Sequence, residues 1–403
     1  MMRSATPPSA ARFALFLTVL LGLQPVVTDL FLTSLPSLQS EFQAPMLTIQ
    51  ATMFGVMIAF GLGQLFWGAW SDRAGRRPIL IWGLAIFVIS GILGALAPQI
   101  EWLIAARFAQ GASVGAAIVG SRAMVRDLYA IRDGAQVLAR GLTGLGVIAL
   151  ISPIIGGILT DLAGWRANML AISMVGLIGL IMVWRLLPET LQTRNPRATA
   201  PGPLLRNYAD ILTTRSFLAW SLIAFSSYGG LFLLLSGGPF IYQRLLGLNA
   251  TEFGMVMATG SASYLVGTLL CRRFIPRRGL MKTVQFAGWI SLIIGIWNAV
   301  LAITQPLSLA AIMVPHLLYG FAHGFHQPCS NAAAPGLFPE KAGTASSLLG
   351  LMMATAAVVS GFYLALYLDD GLLPYALGLS FWSLSLCAGA LLILPRHADA
   401  SSQ

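Results

Sequence analysis

Long apolar runs alternate with short polar connections along the whole chain, and the runs have the length of a membrane crossing. A helix needs about 20 mostly apolar residues to span a bilayer. Stretches of that kind lie near 12–34, 47–70, 78–97, 101–122, 139–161, 165–187, 217–240, 252–271, 281–304, 308–330, 342–366 and 373–394. Around Pro98 and Gly164 the chain turns back within very few residues. The pattern predicts an all-α integral membrane protein with 12 transmembrane helices. Residues 188–215 form the longest polar connection, with Pro188, Pro196, Pro201 and Pro203, and leave six spans on either side. The expected organisation is an N-terminal six-helix bundle over 1–187, a linker over 188–215 and a C-terminal six-helix bundle over 216–403. Two pseudo-symmetric halves suggest a transporter with its substrate site at their interface.

Composition agrees: 57% of residues are hydrophobic and 9% charged, against about 25% charged in soluble domains. The cations then orient the chain. Of 24 lysines and arginines, 21 fall at the even-numbered connections or the termini, and the odd connections hold only Arg166 and Arg244. Positive residues stay on the cytoplasmic side, so both termini and the 188–215 linker are expected inside a bacterial inner membrane. The net charge of +10 is a topology signal. A nucleic-acid binder would gather its cations on a folded soluble module, and no nucleic-acid partner is expected. The first apolar run is too long for a signal-peptide core and lacks a cleavage pattern. Cys271, Cys329 and Cys387 have no spacing that suggests a metal or a disulfide.

Short motifs sharpen the picture. Gly68, Asp72, Arg73, Gly75, Arg76 and Arg77 spell G-x-x-x-D-R-x-G-R-R between spans two and three. This resembles the major facilitator superfamily. A tight cytoplasmic turn accounts for the residues: Gly75 permits positive φ, and Asp72 is stabilised near a positive helix N-terminus, which span eleven offers near Ala342. The arginines also serve as topology determinants. Further strings resemble the Bcr/CflA-type drug-resistance branch. They are Asp29 to Pro36, Arg126 to Tyr129, Leu187 to Thr190, Ser236 to Phe240, Glu252 to Gly254 and Ala342 to Ser347, in the expected order. The resemblance implies proton-coupled export of small amphipathic molecules by a monomer, driven by the proton gradient without a cofactor. One motif departs from the branch. Span five reads Ser152, Pro153, then Gly156 and Gly157 where antiporters carry G-P-x-x-G, and Ile148 stands where a further glycine is expected.

Two charges fall well inside the spans, Asp29 and Arg107. A charge at the bilayer centre costs at least about 2.5–3.5 kcal/mol, so such residues face a cavity or a partner. At about 1.5 Å per residue, both sit at matched depth, roughly 8–9 Å below the outer edge, and are expected to interact directly or through water. A static ion pair joining two helices and a titrating carboxylate tuned by a cation both fit. Gln110 shares a face with Arg107, in a string similar to the superfamily's R-x-x-Q-G-x-x-x-G. Tyr319, His323, Gln327 and Ser330 in span ten are spaced 4, 4 and 3 and form one stripe. Substrate or proton contact, interhelical hydrogen bonding and metal binding all remain open there, although no third metal ligand stands beside His323 and His326, and no metal site is expected. Gln24 and Thr28 on span one, and Ser227 and Tyr228 on span seven, complete the candidate set. In the resembled fold, spans one, four, seven and ten line the central cavity. Phe31, Phe225, Phe232, Phe321 and Phe325 are candidate apolar lining.

An intramembrane enzyme would need a nucleophile–base pair or metal cluster at one depth. The chain has no H-E-x-x-H and no G-x-S-x-G, so no enzymatic activity is expected. A metabolite or nutrient symporter of the same fold is the competing reading within transport.

Overall fold

The computed structural model describes residues 10–129, 131–191, 208–338 and 341–397. The middle of the linker and its cations Arg194, Arg197 and Arg206, with Arg3 at the amino end, lie outside the described residues.

All regular structure described is helical. The elements are α1 (Ala10–Pro25), α2 (Leu35–Phe42), α3 (Met46–Ala74), α4 (Arg76–Ala95), α5 (Ile100–Leu128), α6 (Ile131–Ala163) and α7 (Trp165–Leu186). After the linker come α8 (Arg215–Pro239), α9 (Ala250–Thr304), α10 (Leu309–Gly336), α11 (Ala342–Tyr367) and α12 (Leu372–Ala388). In a bilayer every backbone N–H and C=O must be satisfied within the segment, which is why the apolar runs become helices. Large apolar side chains remain on the outside, such as Trp82, Leu93, Leu162 and Ile303. In water such a surface would aggregate; facing lipid it costs nothing.

Ten helices of the described residues are long and apolar enough to cross a membrane. Spans eight and nine account for one of the two missing: they follow each other within α9 as two helices joined at Gly279, whose φ of 76° and ψ of 169° break the helix. Span ten, α10, carries three histidines and three prolines and is not among those ten helices. The protein is therefore a multi-pass membrane protein.

Helices α1 to α7 pack mainly on one another, as do α8 to α12, and two seams join these sets: α6 against α9 and α3 against α11. The first seam is a backbone contact. A Cβ on Gly157 would collide with the Ala250 carbonyl, and one on Gly254 with the Pro153 carbonyl. Small residues of this kind let membrane helices approach closely. Gly156 makes the same approach to Leu30 of the first span.

The two ends of the molecule differ. At the acidic end, with Glu41, Asp161 and Glu252, the sets are tied across the seams. The Asp161 carboxylate accepts from Ala250 N at 3.2 Å, Thr251 N at 2.8 Å and Thr251 Oγ1 at 2.5 Å, capping the start of α9. Gln50 Nε2 donates to the Ser236 carbonyl at 3.2 Å and Gln243 Nε2 to that of Thr33 at 3.1 Å. Arg244 Nη1 donates to Gln39 Oε1 at 3.3 Å. Glu41 accepts from Arg166 Nη1 at 2.6 Å and Trp165 Nε1 at 2.8 Å. Partial burial pushes its carboxyl up, but those two hydrogen bonds and the Arg166 charge prevail and hold it below the usual carboxylate range.

The basic end gathers three of the motif strings. Gly75 has φ 114°, the conformation the tight turn requires. Arg76, only 7% exposed, donates through Nη1 to Asp72 Oδ1 at 2.5 Å and through Nε to Asp127 Oδ2 at 3.0 Å. Thr190 Oγ1 donates to Asp127 Oδ2 as well, at 3.0 Å. Glu189 accepts from the backbone N–H groups of Arg76 and Arg77, at 3.0 and 3.2 Å, and so caps α4. Asp72, half exposed, pairs with Arg76, four residues further along the same chain. Gly68 meets only Val119 nearby, while Arg77 Nη2 donates to the Trp184 carbonyl at 2.7 Å.

Candidate transport cavity

A cavity of about 200 Å³ lies between the two sets of helices. Its wall includes Gln24, Thr28 and Asp29 from the first span, Met53 and Met57 from α3, and Leu145, Gly146, Ala149 and Pro153 from α6. Tyr228 and Phe232 of α8, Ser261 and Tyr264 of α9, and His316, His323 and Gln327 of α10 close the other side.

Local chain geometry places the carboxylate. Pro25 has no N–H to donate, and the helix answers with a widened π turn over Val26–Leu30 that carries Thr28 and Asp29. Single π turns of this kind aim side chains at functional sites. Thr28 Oγ1 donates to Asp29 Oδ1 at 2.7 Å. Opposite, Tyr228 lies within electrostatic reach of Asp29 and beside Gln24, and its hydroxyl meets Met57 Sδ at 3.4 Å. Between α9 and α10, Tyr264 Oη donates to Gln327 Oε1 at 2.9 Å, and the Tyr264 ring leans on His323 with centroids 5.3 Å apart. His323 Nδ1 bonds Ser227 Oγ at 2.7 Å.

Arg107 and Asp29 form no direct ion pair. Arg107 is fully buried; its Nε donates to the Thr52 carbonyl at 3.3 Å and its Nη1 to Gln110 Oε1 at 3.1 Å. Its guanidinium stacks over the Phe31 ring at 4.1 Å. Matched depth did not bring the charges together, because Phe31 covers the guanidinium face and α3 supplies acceptors nearer by. Of the four helices expected to line the cavity, the first span, α8 and α10 do; α5, with Arg107 and Gln110, does not. Ser227 and Tyr319 lie one layer behind the wall, where Tyr319 Oη donates to the Ser227 carbonyl at 3.0 Å. Of the five phenylalanines, Phe232 reaches the cavity. His326 bonds Ser291 Oγ at 3.0 Å, and no group of three metal-ligating side chains occurs among the described residues.

Residues of α3, α6 and α9 were not foreseen. Tyr264 carried one available signal: it sits beside Gly260 and Gly267, the glycines that bring α9 against α10. Ser152 and Pro153 belong to the same region, with Pro153 on the wall and Ser152 buried.

A cavity with scattered polar groups at the meeting of two sets of helices, among the described residues, fits the class of small-molecule transporters. The profile of the Major Facilitator Superfamily matches residues 17–361, and the chain belongs to that family. A bicyclomycin resistance protein homolog of Haemophilus influenzae is 27% identical over 355 residues, covering 88% of each chain. The multidrug resistance protein MdtL of Escherichia coli is 28% identical over 346 residues, 85% of each. Both names fit the Bcr/CflA-type branch. In fold, a D-xylose–proton symporter superposes with a TM-score of 0.75 at 16% identity, over 96% of this chain and 99% of the other. An inward-facing bacterial homolog of the lysosomal transporter Spinster gives 0.69 at 14% identity, over 98% and 97%.

Proposed function

We propose that the protein exports small amphipathic drugs or toxic metabolites across the inner membrane in exchange for protons. It works as a monomer of twelve spans with both termini cytoplasmic. Residues 1–187 and 216–403 rock against each other along the α6–α9 and α3–α11 seams. The acidic end then faces outward, and the ties there describe a protein closed to the outside.

One observation carries the reading: Asp29 stands in a mostly apolar cavity shared by both sets, with Thr28 as its hydrogen-bond partner and no cation bonded to it among the described residues. A carboxylate so placed can take up a proton, or instead pair with a cationic substrate or accept hydrogen bonds from a polar one, and competition between proton and substrate couples their movements. Tyr228, Gln24, Tyr264, His323 and Gln327 supply orienting hydrogen bonds, and Met53, Met57 and Phe232 the apolar contact. At about 200 Å³ the cavity is below the roughly 300–1,000 Å³ of drug-sized sites. Loading therefore needs the inner end to part. Arg107 and Gln110 position the first span through Phe31 and α3. No cofactor is involved.

The relatives' names support export. The replacement of glycine by Ser152, with Ile148 packed against Gly22, keeps a proton-coupled metabolite or nutrient symporter as the second reading. Reconstituted vesicles with an imposed proton gradient separate the two. Export predicts that substrate moves against the proton flow, and movement with it would establish uptake. A panel of resistance assays in an efflux-deficient host supplies the substrate.

A further inference from the structure

Two of the three cysteines meet outside the transport cavity. Cys271 on α9 and Cys329 on α10 are 58 positions apart, yet their Sγ atoms lie 3.7 Å from each other, in van der Waals contact. Both are buried. The approach is built into the helix packing. A Cβ on Gly324 would stand 2.5 Å from the Tyr264 carbonyl oxygen, and one on Gly320 2.8 Å from that of Gly260. Backbones in such contact hold the thiols at a fixed spacing. Phe274, Phe286 and Phe325 form a ring cluster beside them, and the Phe325 carbonyl lies 3.9 Å from Cys271 Sγ.

We propose that Cys271 and Cys329 form a dithiol site for a trivalent arsenical. Three features select this ligand class. Trivalent arsenic is pyramidal and holds two sulfurs close to their contact distance, whereas a linear two-coordinate ion such as mercury drives them apart. An organoarsenic dithiolate carries no net charge, so it suits an apolar enclosure where an ion would pay heavily for desolvation. Two thiols fixed on adjacent helices make the second bond intramolecular, and linkage of that kind raises retention by about 10²–10⁴-fold over one thiol. With phenylarsine oxide the step is balanced. Two S–H bonds and the As–O bond break, two As–S bonds form, and the oxygen leaves with both protons as one water. Arsenic stays trivalent and nothing is oxidised. Cys387 on α12 supplies the single-thiol comparison.

The test is intact-mass measurement of the purified full-length protein after phenylarsine oxide, followed by washing. One arsenic per chain is expected to survive excess 2-mercaptoethanol and to be removed by 2,3-dimercaptopropanol. Cys271→Ala and Cys329→Ala should each reduce it to an adduct that the monothiol strips at least about 100-fold faster, and Cys387→Ala should leave it intact. Peptide mapping of the wild-type protein stands independently of any variant's folding. Arsenical pretreatment should shield Cys271 and Cys329, but not Cys387, from N-ethylmaleimide added on denaturation. Loss of all arsenic to 2-mercaptoethanol, absence of binding, or shielding centred on Cys387 would overturn the proposal.

Discussion

Asp29 and Arg107 show how depth and neighbourhood differ as evidence. The sequence puts both charges at one level of the membrane; the fold gives Arg107 the Thr52 carbonyl, Gln110 and the Phe31 face, and leaves Asp29 to Thr28 and the cavity. Each acceptor stranded by Arg107→Ala costs about 1–3 kcal/mol. Arg107→Ala should therefore lower the melting temperature of the purified protein while substrate still drives proton release from the surviving folded fraction. Arg107→Lys should recover little, since an ammonium cannot form the planar fork or stack on Phe31 as a guanidinium does. Tyr264→Phe removes one buried hydrogen bond, worth about 0.5–1.5 kcal/mol. Substrate affinity should fall by up to about tenfold in equilibrium binding, with the protein otherwise folded. What was readable at this scale was the presence of rare polar residues in apolar runs. Tyr264, Ser261 and the methionines of α3 were hidden because their helices look like ordinary lipid spans, and their cavity face is defined only by neighbours distant in sequence.

At the scale of elements, the apolar runs fixed nearly every helix, since length and hydropathy are local properties. Bends were less visible. The π turn that carries Asp29 follows from Pro25, but the sequence alone reads as one span to Ser34. The joining of α9 and α10 through glycines, and of Cys271 to Cys329, is likewise a property of helix pairs. Two of the resemblance strings acquire physical content here: those with Asp127 and Glu189 converge, with Asp72 of the G-x-x-x-D-R-x-G-R-R motif, on Arg76 and the start of α4. At the other end, Asp161 caps α9 across the α6–α9 seam. Loss of such a cap costs about 0.5–2 kcal/mol. Asp161→Ala should thus loosen the acidic end of the α6–α9 seam. Cysteine labelling at Gln50 from the outside, in a background without native cysteines, should become faster, and an unchanged rate would remove Asp161 from the closing machinery.

At the scale of the whole molecule, the cation distribution sets the expected orientation in the membrane. In the same cysteine-free background, a cysteine at Thr199 in the linker should label only from the cytoplasm and one at Gln43 only from outside; outside labelling of position 199 would reverse the orientation. Coupling is the central claim, and proton release provoked by substrate tests it most directly. Purified protein at fixed pH in weak buffer receives the best substrate from the resistance panel, and released protons are counted with a pH indicator. The wild type should release protons in proportion to substrate bound, and Asp29→Asn should bind substrate with no release. Release by Asp29→Asn equal to wild type would place the titrating group elsewhere and contradict the account.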